Sequence, residues 1–465
     1  MRELVRENFR FFLWATLSAL VLRFAFFLGF PAVTSDSFVY GDIAKNWLQH
    51  GIYGLSGIND ITPTSIRLPG YPAFLAAVFA VFGVEHYRAV LFVQIFVDIG
   101  SCFLIADIAR RVVSPRAARA AFMLAALCPF FANYAAAALT ETWEIFFTVL
   151  ALDLVLVGRS DGGVRVWWGC GFAIGAAILL RPDGGLLLAA IELFVIAHAF
   201  VGIAVQREPE IGRAQLRGSV KVAAIIAFSA LVPLLPWTLR NWHTFHEFQP
   251  LAPRYANEEN SFVPMGFNRW VKTWMADYAS VEEVYWSVPG NTIDIDNLPL
   301  RAFDSPEQRD QTEQLVDDYN QSRHVTPELD ARFAALAAER VRHSHFRYYI
   351  WLPMLRIADM WLRPRTEILP CNTRWWEFDE DRKWLVLGVI IGALNLLYVA
   401  AGAIGLVRGR FVPGFGLLVT FLVLRSLFLG TLENPEPRYT LECYPVLLIL
   451  AAVCFRPRPD RPALD

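Results

Sequence analysis

Residues 88–110 read RAVLFVQIFVDIGSCFLIADIAR, an apolar run closed by arginines, with Asp98 in its middle and Asp107 near its end. A run of this length spans a hydrocarbon core of about 30 Å, which takes roughly 20 helical residues. Similar stretches recur at about 10–30, 117–135, 142–158, 164–181, 184–205, 219–237, 384–407, 412–430 and 439–455. The fold class expected is therefore an all-α polytopic membrane protein with about ten transmembrane helices. Composition agrees: of 465 residues 55% are hydrophobic and 18% charged, and mean hydropathy is +0.38. Soluble domains carry about 25% charge. The first run follows Arg2, Arg6 and Arg10, as a signal peptide would. Its apolar body is longer than such a leader needs, so it reads as a retained helix.

The short connections orient these helices. Arg110, Arg111, Arg116 and Arg119 share one connection, and Arg159 and Arg165 flank another. Arg207, Arg213, Arg217 and Lys221 make a third, Arg408 and Arg410 a fourth, and Arg456, Arg458 and Arg461 lie in the tail. With a cytoplasmic N-terminus and ten spans, every one of these groups falls inside, as the bias of short basic loops requires. Residues 31–87 and 238–383 then lie outside. The chain divides into an N-terminal transmembrane module (1–237) with its first loop at 31–87, a periplasmic segment (238–383), and a C-terminal transmembrane module with its tail (384–465). Within the periplasmic segment, Ser305-Pro306-Glu307-Gln308 is a capping-box helix start. Thr326-Pro327 opens another helix that continues through Trp361 and stops before Pro364. Residues 346–362 (FRYYIWLPMLRIADMWL) read as a helix lying on the outer leaflet. A full crossing there would reverse the last three spans and misplace Arg408.

Several function classes are excluded or disfavoured. A net charge of −2 argues against nucleic acid, and no GxxxxGK[ST] cradle is present. Six cysteines lack paired spacing, so no zinc ribbon or disulfide framework is indicated. Cys102, Cys128, Cys170 and Cys454 sit in apolar runs. Cys371 and Cys443 fall near the outer side, and no motif pairs them. Gly171 and Gly175 read as a small-xxx-small helix contact. His243-x-x-His246 and His343-x-His345 read as solvated histidines, with no acid or thiol at ligand spacing.

The informative residues are charges at the outer ends of spans. Asp36 follows the first span in Ser35-Asp36-Ser37-Phe38-Val39-Tyr40, and Arg67 precedes Leu68-Pro69-Gly70-Tyr71-Pro72. Glu141 opens the fourth span, Arg181-Pro182-Asp183 joins the fifth to the sixth, and Arg240 ends the seventh. Glu433, Glu436, Arg438 and Tyr439 cluster before the last. Single arginines and tyrosines at this depth serve as interface anchors, but Asp36, Glu141 and Asp183 do not. A carboxylate at the water edge can take the proton of an acceptor hydroxyl, while arginines neutralise a phosphate leaving group. That chemistry suits glycosyl transfer from a lipid-phosphate sugar, with a divalent cation optional. Charges inside the spans (Arg23, Asp98, Asp153, Arg425) keep open a transporter or lipid flippase. No internal repeat supports it, and Arg23 with Asp98 reads as a structural pair. A surface-polysaccharide polymerase or ligase is a third reading.

The order Asp36, Tyr40, Ala44, Asn46, Gly51, Arg67-Leu-Pro-Gly-Tyr71, Thr140-Glu141, Arg181-Pro182, Glu436-Pro-Arg438-Tyr439 resembles the integral-membrane GT-C glycosyltransferases. Within them it is most similar to the bacterial group of aminoarabinose transferases, protein O-mannosyltransferases and lipopolysaccharide galacturonosyl transferases. The resemblance covers about 1–245 and 346–455. It implies Asp36 as the first-loop catalytic carboxylate, Glu141 as a second acid, and Arg67 as a donor-phosphate contact. Arg181, Arg438 and Tyr439 are further candidates for the phosphate, and Tyr40, Tyr71, Asp183, Arg240 and Glu436 for positioning substrate. The implied partners are a polyprenyl-phosphate sugar donor, a glycan, lipid or protein acceptor, and membrane lipid, with no nucleic acid. The implied place is the bacterial inner membrane, with an inverting site facing the periplasm. Two departures stand out: Val39 replaces a basic residue, and Asp36 lacks an adjacent acid. Asp42 lies six residues on and is expected to face elsewhere.

Overall fold

The computed structural model describes residues 1–205, 209–257, 261–374, 382–410 and 412–456. Of the basic residues used for orientation, Arg207, Arg458 and Arg461 lie outside them. Among the described residues, six helical segments are long and apolar enough to cross a membrane: Phe9–Gly29, Tyr87–Val112, Pro182–Phe200, Gly212–Leu231, Arg382–Arg408 and Pro437–Phe455. The chain is a polytopic α-helical membrane protein. Its other apolar stretches include Val164–Leu180 and Phe415–Gly430, too short to pass that test, and Glu141–Asp161, which is long enough but more charged.

The stretch expected to be one span at 117–135 is two helices, Pro115–Ala126 and Pro129–Ala135, meeting at 52°. Pro129 supplies the reason. Its ring disfavours helical backbone at the residue before it, and Cys128 is extended. The last carbonyls of Pro115–Ala126 are met from the side: Arg23 donates to Ala125 O at 3.0 Å and also to Ala126 O. The span expected at 219–237 likewise ends at Leu231, and Leu234–Phe245 begins anew after Pro233.

Contacts divide the chain into two compact units: Met1–Glu258 with Ala400–Leu422 and Leu441–Asp465, and Glu259–Val399 with Val423–Thr440. In the first, the helix Val164–Leu180 packs on Pro209–Leu231 through Gly171 and Gly175. Side chains there would meet Ser229 and Ile226 O, or Ala230 O and Pro233. This bears out the small-residue contact. Residues 31–87 fold as the helix Ser35–His50, a hairpin of Gly54–Ser56 with Ile61–Pro63, and the short apolar helix Gly70–Phe82. The hairpin was not foreseen. Asp42 holds it, accepting from Ser56 N at 2.7 Å and from the Ser56 hydroxyl at 2.7 Å, and so faces away from Asp36.

The second unit is built on Met265–Lys272, Pro306–Ser322 and Pro327–His343 around the fully buried Trp270, Trp274, Tyr319 and Phe333. Both expected helix starts are present: Ser305 accepts from Gln308 N and Thr326 from Leu329 N, each at 3.2 Å. Asp330 caps Met265–Lys272 from the side, accepting from Gly266 N and Phe267 N at 2.9 Å. The helix opened by Pro327 does not continue to Trp361. It ends at His343, Ser344 turns extended, and a new helical stretch begins whose Arg347 N–H bonds the Ser344 hydroxyl. That stretch, ending in Leu352–Leu362, is amphipathic. Arg356 is buried and donates to Met275 O at 2.9 Å, while Phe346, Tyr349, Ile350, Trp351 and Met354 are exposed.

Candidate functional site

In the first unit the helix Ser35–His50 starts where the Ser37 hydroxyl accepts the Thr34 N–H at 2.9 Å, and it stops at Gly51, whose φ of +71° suits a residue without Cβ. Asp36 therefore sits in a first turn, where the unpaired backbone N–H groups favour a carboxylate. Its Oδ1 meets Arg67 NH2 at 2.9 Å, with both side chains partly exposed. The Arg67 guanidinium also lies 5.6 Å from the Tyr40 ring centre. The Arg67 carbonyl accepts the Tyr53 hydroxyl at 2.9 Å, which fixes the backbone that presents the arginine.

Tyr40 marks the middle of the cluster. Burial pushes its phenol up to about 12; Asp36 and Glu141 act in the same sense, while Arg67 and Arg181 oppose them. Four charges predicted from distant sequence positions thus act on one ring. Glu141 is buried at the start of its helix. Arg181, in extended backbone before Pro182, brings Nε to 3.3 Å from Asp183 and 3.7 Å from Glu144. Tyr71 packs edge-on against Tyr40 at 5.1 Å, but its hydroxyl is committed to Gln94 Oε1 at 2.8 Å. Gln94 in turn donates to Ala137 O at 2.7 Å, four residues before Glu141.

Arg240 works on the loop backbone. It donates to Thr64 O at 2.8 Å and Tyr53 O at 2.6 Å and lies over the Tyr53, Trp237 and Phe245 rings. A cavity of about 410 Å³, lined by Trp47, Tyr53, Pro69, Trp237 and Arg240 among others, opens beside it.

The late cluster belongs to the second unit. Arg438 Nε lies 2.6 Å from Glu436, the Tyr439 hydroxyl donates to the same carboxylate, and Asn434 donates to it at 3.2 Å. The sequence reading missed two acids. Glu367 has both carboxylate oxygens buried and unbonded among the described residues. Burial raises its carboxyl against the charges of Arg365, Arg363 and Arg438. Glu144 lies one turn after Glu141, where helical spacing puts both on one face, and that spacing was the available signal. Among the described residues no group of three or more His, Cys, Asp or Glu could hold a metal ion.

Residues 64–237 match the family model described as dolichyl-phosphate-mannose-protein mannosyltransferase. The match takes in Arg67, Tyr71, Glu141, Arg181 and Asp183, and it bears out the resemblance to GT-C membrane glycosyltransferases drawn from motif order. No protein of curated description matches the chain. Among solved structures, the chain is similar to the oligosaccharyltransferase AglB of Archaeoglobus fulgidus in complex with an inhibitory peptide and a dolichol-phosphate. Identity is 13%, the TM-score 0.48, and coverage 97% of this chain and 50% of that one. It is also similar to ArnT from Cupriavidus metallidurans bound to undecaprenyl phosphate, at 14% identity and TM-score 0.42, over 96% of this chain and 77% of that one. The chain thus spans about half the length of the oligosaccharyltransferase.

Proposed function

We propose that this protein transfers a sugar from a polyprenyl-phosphate-linked donor to an acceptor at the periplasmic face of a bacterial inner membrane, with inversion at the sugar carbon. The observation that carries the reading is the Asp36–Arg67 pair at 2.9 Å beside a tyrosine that also senses Glu141 and Arg181. The family match over 64–237 supports it.

The pair explains how a base can be kept inactive until the donor arrives. While Arg67 holds Asp36, the carboxylate is neutralised. A donor phosphate competes for the guanidinium, which prefers a bidentate anion, and frees Asp36. The freed carboxylate takes the proton of an acceptor hydroxyl as that oxygen bonds the sugar carbon. The bond from that carbon to the phosphate oxygen breaks, and its electron pair leaves as polyprenyl phosphate against Arg67. Arg240 contributes by holding the Thr64 and Tyr53 carbonyls, and so the loop that carries Arg67.

The test is mass spectrometry of lipid A, polysaccharide and envelope proteins from cells with and without the chain, complemented by Asp36→Asn. One glycan modification is expected to disappear and to stay absent with the variant, since loss of a general base costs about 10²–10⁴ in rate. Full restoration by Asp36→Asn would sink the reading. Reporter fusions at residues 300 and 212 check the side: periplasmic and cytoplasmic, respectively.

A further inference from the structure

Glu144 has no task in the transfer step above, yet the fold keeps it at a cost. Its residue is 2% exposed, and neither carboxylate oxygen has a hydrogen bond among the described residues. Arg181 Nε stands 3.7 Å from Oε1, beyond hydrogen-bond reach. A buried acid without donors is expensive, and native structures leave such groups where something else completes them.

The surroundings say what that is. Glu144 at 3.7 Å and Asp183 at 3.3 Å put two carboxyl groups beside one guanidinium, Arg181, so this part of the site is short of positive charge and disfavours a further anion. In the transfer step above the phosphate goes to Arg67, which pairs with one carboxylate, Asp36. Up to four lone-pair positions on Glu144 call for neutral donors, and of the groups the transferase reading brings to the site, sugar hydroxyls are neutral donors. Resting on that reading, we propose that Glu144 accepts hydrogen bonds from hydroxyls of the donor's sugar and selects a neutral sugar over a uronate.

The experiment uses the full chain in lipid nanodiscs and measures binding of undecaprenyl phosphate, bare or carrying glucose, mannose or galacturonate. A neutral-sugar lipid is expected to bind the native protein about tenfold more tightly than the bare lipid, the worth of a charge-assisted hydrogen bond. The galacturonate lipid should gain nothing. Glu144→Gln should lose most of the sugar-dependent gain and Glu144→Ala all of it, with bare-lipid affinity unchanged in both. The ligand-free melting temperature of Glu144→Gln should not fall, because a buried carboxylate without a hydrogen bond among the described residues has been removed; a purely structural role predicts a drop. The inference is overturned by a sugar-dependent gain that survives in both variants, by equal loss for bare and sugar lipids, by a uronate preference, or by a lowered melting temperature. If neutral sugars add nothing in the native protein, this inference falls while the transferase reading still stands on Asp36. If no lipid phosphate binds at all, both fall.

Discussion

The first unit holds two arginine–aspartate pairs of similar length with opposite surroundings. Arg23 and Asp98 meet at 2.7 Å with side-chain exposures of 0% and 2%. Arg23 also donates to Ala125 O and Ala126 O, so the guanidinium is saturated. Asp36 and Arg67 meet at 2.9 Å with exposures of 29% and 22%, and Arg67 Nε finds no acceptor among the described residues. Of the other charges inside the spans, Arg425 resembles the first case, donating to Tyr439 O at 3.2 Å, while Asp153 lies 3.3 Å from Arg111 with its Oδ1 making no hydrogen bond among the described residues. A saturated pair closes a helix end and holds a fold. A pair with spare bonding capacity is arranged to exchange partners. This contrast weakens the transporter reading, which rested on the charges within the spans.

The contrast can be broken by mutation. Arg23→Leu should have the largest effect, lowering stability by about 3–5 kcal/mol because Asp98 is stranded in a buried place. Unfolding in detergent would show it, and Arg23→Leu with Asp98→Leu should recover only part, since Ala125 O and Ala126 O remain unmet. A near-normal single variant would erase the distinction between the two pairs. Arg67→Ala should leave stability within about 0.5 kcal/mol but weaken undecaprenyl-phosphate binding and cut single-turnover rate by about 10²–10³. Arg67→Lys should rescue a part of this, since charge remains and the fork is lost. The smallest effect belongs to Asp42. Burial alone would raise its carboxyl, but the Ser56 N–H, Lys45 and the Ser56 hydroxyl outweigh burial and hold it below the usual value. Its contribution is therefore present above the ordinary carboxylate pKa and is lost as pH falls through the lower, folded one. Asp42→Asn should cost about 1 kcal/mol or less at neutral pH, with the difference from native closing at strongly acid pH.

What was legible in the sequence followed from short-range physics. The apolar runs, the helix starts at Pro306 and Pro327, and the Gly171–Gly175 contact all depend on residues a few positions apart. The charge cluster was legible as a list, because acids at span ends have few other reasons to be there. The pairing inside it was not, since Asp36 and Arg67 are 31 residues apart with a hairpin between them. Pro129 was visible, yet the bend it causes needed Arg23, about a hundred residues away, to satisfy the carbonyls. Glu144 escaped because Glu141 stood at the span's edge and Glu144 read as part of its apolar interior.

One small feature sets the scale of the site. Ala32 and Ala137 form an isolated parallel bridge, with Ala32 N bonded to Ala136 O at 2.8 Å and Ala138 N to Ala32 O at 2.9 Å. Asp36 follows Ala32 by four residues, and Glu141 follows Ala137 by the same four. The bridge acts as a gauge block, aligning the zero marks of two chain segments from which both acids are counted off. Length errors on either segment are then not absorbed by the loop. One residue inserted into the extended piece at Val33–Thr34 would slide Asp36 by about 3.3 Å while Glu141 stayed in place. That is more than the separation of Asp36 from Arg67, so this stretch should tolerate substitution far better than insertion or deletion.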